Sequence, residues 1–170
     1  MMYKICGVIL IVLSCGGVGF KAAADHKRKA KLLKELIASI RFMKCELECR
    51  CTPLPELCRR VAETCNGHIR KFYLRLSEVL DSQVCPDTLS CCAYTITEIK
   101  GLPPCVCETI MTMAATLGKF DLKGQLEGLE LAAIQGENAL EKLTFEQDNR
   151  LRSYQTLGLC AGAALAILLV

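Results

Sequence analysis

The stretch LLKELIASIRFMKCEL, residues 32–47, decides the fold. Its apolar residues Leu33, Leu36, Ile40, Met43 and Leu47 recur at helical spacing, so one face of a helix is buried; a strand would alternate instead. This helix is expected to end near Arg50. Thr52-Pro53 reads as a new cap followed by a proline in the first helical turn, where the missing N–H costs nothing. A second helix runs from there to about Asn66-Gly67.

The same period continues outward. In IRKFYLRLSEVL, Ile69, Phe72, Leu76 and Leu80 share one side, and this third helix should stop before Cys85-Pro86. Pro86 can open a fourth helix that closes near Gly101, and Pro103-Pro104 a fifth that closes at Leu117-Gly118. No proline follows Asp121, and Leu126, Leu129, Ala133, Gly136, Leu140 and Leu143 form one long seam running toward the C-terminus. Gly124, Gly128 and Gly136 each cost about 1 kcal/mol of helix propensity relative to alanine, which points to close helix contacts or a bend. The expected fold is all-α: an antiparallel helical bundle of about six helices.

Both ends of the chain read as membrane segments. Ile5 to Phe20 is uncharged, Ala22 to Ala24 extend it past Lys21, and Ser153 to Val170 is uncharged to the last residue. Lys27, Arg28, Lys29, Lys31 and Lys34 follow the first segment, and Arg150 with Arg152 precede the second; basic flanks stay in the cytoplasm. The expected division is therefore an N-terminal membrane segment (1–24), a cytoplasmic bundle (25–152) and a C-terminal membrane segment (153–170) continuous with the last helix. A cleaved secretory signal or a lipoprotein site at Cys15 would send the middle outward, against those basic flanks.

Composition narrows function more than it defines it. Of 170 residues, 52% are hydrophobic and the net charge is only +3, which argues against a nucleic-acid footprint over the whole chain. Mean hydropathy is +0.31, as membrane segments would produce. Thirteen cysteines invite a metal or redox reading around Cys45, Cys49, Cys51, Cys58 and Cys65. Yet no C-x-x-C occurs, and His26 and His68 lie apart from any ligand pair. In a cytoplasmic domain most of these cysteines are small buried hydrophobes. No catalytic residue, cofactor or metal is assigned: there is no phosphate loop and no G-x-S-x-G, and Glu46 and Glu48 point apart on their helix. From Asp121 to Arg152 seven acids face four bases. That excess reads as a solvated outer face or as a docking stripe for a basic partner.

Three stretches together resemble the stage III sporulation protein AB (SpoIIIAB) family. The first is Glu46-Leu47 shortly before Thr52-Pro53-Leu54-Pro55-Glu56, running on to Arg60-Val61-Ala62. The second is Leu117-Gly118 with Asp121 and Gln125. The third is Tyr154-Gln155-Thr156-Leu157-Gly158 with Gly162 and Ile167-Leu168-Leu169. Lys29-Ala30 and Cys49-Arg50 depart from the family's usual Arg-Pro and aromatic-Gly pairs. The resemblance implies a non-enzymatic membrane component of the mother-cell channel complex in endospore formation, with a bundle similar to the cytoplasmic domains of the type II secretion platform protein. It implies a secretion-type ATPase, stage III sporulation protein AA, as partner, beside other channel components. The residues expected to meet that partner are Glu46, Glu48, Glu56, Glu127, Glu130 and Glu137.

Overall fold

The computed structural model describes residues 2–83, 85–119 and 121–169, and the side chains of 24–83, 85–119 and 121–145. Six helices follow one another: α1 (Met2–Arg50), α2 (Leu54–Thr64), α3 (Gly67–Asp81), α4 (Thr88–Glu98), α5 (Pro104–Thr116) and α6 (Leu122–Leu169). No strand occurs among the described residues. The chain divides into two compact units, residues 1–28 with 141–170, and Lys29–Leu140. The first holds the start of α1 and the end of α6.

In the second unit the helical period becomes a core. Leu33, Leu36, Ile40 and Met43 of α1 are fully buried, as are Leu57 and Val61 of α2, Ile69 and Phe72 of α3, and Ile110 and Met113 of α5. Consecutive helices α2 to α5 pack against one another in chain order. A buried polar pair links α1 and α3 within this core. The Tyr73 hydroxyl is 2.9 Å from Ser39 Oγ on α1 and 3.9 Å from Met113 Sδ on α5. Burial drives the Tyr73 phenol well above its ordinary value, so it stays a neutral donor.

The glycines of α6 do serve close approach. A Cβ built on Gly128 would fall 2.0 Å from Thr116 Oγ1 of α5, and one on Gly136 2.8 Å from Ile37 Cγ1 of α1. Between them Thr112 Oγ1 donates to Gln135 Oε1 at 2.5 Å. Small residues thereby let α6 approach α1 and α5 closely, and the Thr112–Gln135 bond ties it to α5.

Two helix starts differ from the sequence expectation. Thr52 is not the cap of α2: Pro53 holds that position without a side-chain hydrogen bond, and Pro55 lies in the first turn. Pro86 does not open α4. Asp87 does the capping, its Oδ1 accepting the Ser90 N–H at 3.4 Å and the Ser90 hydroxyl as well. A carboxylate satisfies the orphan N–H groups of a helix start, which a proline ring cannot do.

Among the described residues no helix is long and apolar enough to cross a membrane. The stretches expected to embed in one, Ile5 to Phe20 and Ser153 to Val170, lie outside the residues whose side chains are described.

Candidate docking surfaces

The six acids expected to meet a partner fall into two groups. Glu46 and Glu56 converge on one base: Arg60 Nη1 lies 3.3 Å from Glu46 Oε2, and Arg60 Nε 3.6 Å from Glu56 Oε1. Glu56 also pairs with Arg59 at 3.3 Å, and Arg59 in turn with Asp81 at the end of α3. With its side chain only 17% exposed, Glu46 fixes α1 to α2 and has little surface left for a partner.

The second group lines the seam of α1 and α6. Lys44 Nζ donates to Glu130 Oε2 at 2.7 Å, and Arg41 pairs with Glu137. Rising numbers on α1 meet falling numbers on α6, so the two helices run antiparallel here. The bond to Glu130 raises the Lys44 amine above its usual value, with smaller help from the Glu130 and Glu48 charges. The same bond holds the Glu130 carboxyl below its usual value. Glu127 is 70% exposed and reaches Lys123 only at 3.9 Å. The stripe is therefore a ladder of matched charges, with Glu127 and the exposed Glu48 as its most available acids.

A second surface was not marked as a site by the sequence. An open groove of about 330 Å³ is lined by Leu47 and Cys51 at the end of α1, Thr52, Pro53 and Leu54 at the start of α2, Gly118 in the turn after α5, and Leu122 and Gln125 at the start of α6. Its backbone is specially shaped. Cys51 takes a left-handed φ of 48° and donates its N–H to Leu47 O at 3.1 Å, closing α1 as glycine usually does. Gly118 has φ 75°, and a Cβ there would fall 2.9 Å from Thr88 Oγ1. Leu122 remains 40% exposed at the mouth. The pattern Thr-Pro-Leu and the Leu-Gly turn were legible separately; their meeting is a matter of tertiary packing.

Among the described residues no three His, Cys, Asp or Glu side chains are placed to hold an ion. Cys58, Cys65, Cys91 and Cys92 are buried, whereas Cys45, Cys49 and Cys51 are exposed.

These features define an all-α bundle protein with an open groove at its helix ends and ion pairs along one helix seam. The profile of the stage III sporulation protein AB (spore_III_AB) family matches residues 4–170, and the chain belongs to that family, a component of sporulation. It is 22% identical over 171 residues to stage III sporulation protein AB of Bacillus subtilis (strain 168), covering 99% of this chain and 100% of the relative. A solved structure of stage III sporulation protein AB (SpoIIIAB) shares the fold with a TM-score of 0.64 at 18% identity, over 72% of this chain and 98% of the other.

Proposed function

We propose that this chain is a non-enzymatic membrane component of the mother-cell sporulation channel complex. Its bundle docks a secretion-type ATPase, stage III sporulation protein AA, and through docking regulates it. The observation that carries this reading is the groove. Two of the three stretches that carry the family pattern, Thr52-Pro53-Leu54 and Gly118 with Gln125, line one solvent-open cavity, although more than sixty positions separate them.

The apolar segments 1–24 and 153–170 anchor the chain in the cell membrane, and the basic residues Lys27 to Lys34 keep the bundle on the cytoplasmic side. Glu127 and Glu48 supply the negative charge available to steer a basic partner.

The test is a pull-down of the ATPase by the full chain in detergent, with ATP turnover measured in the same tube. Binding that is lost in Leu122→Arg and weakened in Glu127→Lys supports the groove and its acidic flank. Wild-type binding by both variants would move docking off this end of the bundle. No binding by the folded wild-type chain would remove the ATPase as a direct partner.

A further inference from the structure

Three contacts fix the level of the helices along the unit Lys29–Leu140. The Asn66 N–H before α3 donates to Glu35 of α1, Tyr73 of α3 lies 2.9 Å from Ser39 of α1, and Gly136 of α6 lies against both Ile37 of α1 and Thr109 of α5. The starts of α3 and α5 therefore stand level with residues 29–35 of α1, at the end of the unit opposite the groove.

This end is basic. It carries Lys29, Lys31 and Lys34 on α1, Arg70 and Lys71 on the first turns of α3, and Lys100 in the loop that leads into α5. All but the half-buried Lys29 are exposed, and none of the six enters an ion pair with a described residue. By contrast Arg41, Lys44, Arg59, Arg60, Arg75 and Lys119 each pair with a carboxylate. The acids near the basic end do not offset it. Glu35 accepts the Asn66 N–H and Glu98 is taken up by Arg75, which leaves the exposed Glu63 and Glu108.

We propose that this end of the bundle is an electrostatic seat for anionic phospholipid headgroups, with Lys31, Lys34, Arg70, Lys71 and Lys100 bearing on the lipid phosphates. Position favours a lipid surface over a soluble polyanion. Only residues 25–28 separate Lys29 from the apolar segment 1–24, a helical rise of about 7.5 Å, within the roughly 8 Å Debye length of physiological salt. Bases at that distance feel the negative potential of an anionic leaflet, and long lysine and arginine stems let the charge reach the phosphates while the helices stay packed. The inference rests on the reading that segment 1–24 enters the membrane. It adds to that reading a contact made by α3 and the α4–α5 loop, which no topology signal requires.

The experiment uses the full chain in nanodiscs of phosphatidylcholine alone or with phosphatidylglycerol added. Lysines are labelled briefly with an amine-reactive reagent and mapped by mass spectrometry. The expected result is that Lys31, Lys34, Lys71 and Lys100 label about threefold or more slowly in the anionic discs, while Lys123 at the groove end keeps its rate. Salt at about 1 M, which shortens screening to about 3 Å, should erase the difference. The double variant Arg70→Glu with Lys71→Glu, at two exposed positions, should restore fast labelling at Lys34 and Lys100. Equal rates in the two kinds of disc would overturn the proposal, as would slowing that only an added soluble polyanion, polyglutamate, produces. A chain that fails to enter phosphatidylcholine discs would instead overturn the anchoring reading. Capture by anionic discs alone would then still support the basic end, and capture by neither would overturn both.

Discussion

Lys44 Nζ of α1 stands 2.7 Å from Glu130 Oε2 of α6, joining residues 86 positions apart on the bundle surface. With Arg41 and Glu137 it makes two matched rungs across the same antiparallel seam. Acids that look like a continuous negative stripe in sequence are thus partly consumed by the protein's own bases. Solvent competes strongly for such exposed pairs, so each acts more on register than on stability.

The pairing is directly testable by charge exchange. Glu130→Lys places two amines side by side and should lower the melting temperature of the folded chain, as should Lys44→Glu with its two carboxylates. The double exchange Lys44→Glu with Glu130→Lys should return the melting temperature most of the way to wild type. Additive losses in the double variant would show that the pair does not exist in solution.

Much of this architecture could be read from the sequence because local rules and tertiary structure agree. The seam Leu33, Leu36, Ile40, Met43 is the buried face of α1, and the prolines and glycines that punctuate the chain fall within a few residues of the helix ends. The capping of α4 was misread because Pro86 and Asp87 both favour a helix start, and only the hydrogen bond to Ser90 decides between them. Helix α1 ends at Arg50, as its sequence leads one to expect, although Cys51 gives no warning of the left-handed backbone that glycine normally advertises. The groove and the charge ladder were invisible for a different reason. Both depend on which surfaces meet, and a single sequence carries no record of pairings across 86 positions.

The central hydrogen bond predicts an asymmetry between its two partners. Ser39 spends its one proton on Leu36 O at 2.6 Å, so the Tyr73 hydroxyl is the donor to Ser39 Oγ. Ser39→Ala leaves that buried hydroxyl with only the Met113 sulfur and should cost about 1–3 kcal/mol. Tyr73→Phe removes the donor while Ser39 keeps its carbonyl partner, and should cost about 1 kcal/mol. Denaturant titration of both variants and the double variant measures the coupling; equal losses that simply add would rule out a shared bond.

Thiol reactivity should divide along burial. Burial, with smaller effects from Cys91 and Asp87, pushes the Cys92 thiol up to about 12 from an ordinary 9.0, and burial raises Cys58 as well. A shift of that size lowers the thiolate fraction on the order of a thousandfold, so iodoacetamide should label the exposed Cys51 long before Cys92. The sign for stability follows. These thiols stay protonated in the folded chain, so stability is intact below pH 9.0 and falls as the pH rises from there toward about 12, where only the unfolded thiols ionise. Timed alkylation under native conditions, followed by mapping, checks the first statement, and melts across that pH range check the second. Equal labelling rates at Cys51 and Cys92 would mean that the helix packing around α4 is looser than the structure has it.

Gly128 gives the sharpest test of how α6 seats on the bundle. In an exposed helix, replacing glycine by alanine gains about 1 kcal/mol. Here the new methyl would lie 2.0 Å from Thr116 Oγ1, 2.3 Å from its Cβ and 2.6 Å from its Cγ2. Overpacking of this kind costs roughly 1–3 kcal/mol, so Gly128→Ala should be destabilising despite its better propensity. Thr116→Ala cannot relieve the clash, because alanine retains the Cβ that is itself too close. Thr116→Gly removes every clashing atom at the last residue of α5, where glycine costs little helix. The double variant Gly128→Ala with Thr116→Gly should therefore be more stable than Gly128→Ala alone, while Thr116→Ala should fail to rescue. If Gly128→Ala raises the melting temperature, α6 does not approach α5 as closely as this seam requires, and the antiparallel register set by Glu130 and Glu137 would have to be redrawn with it.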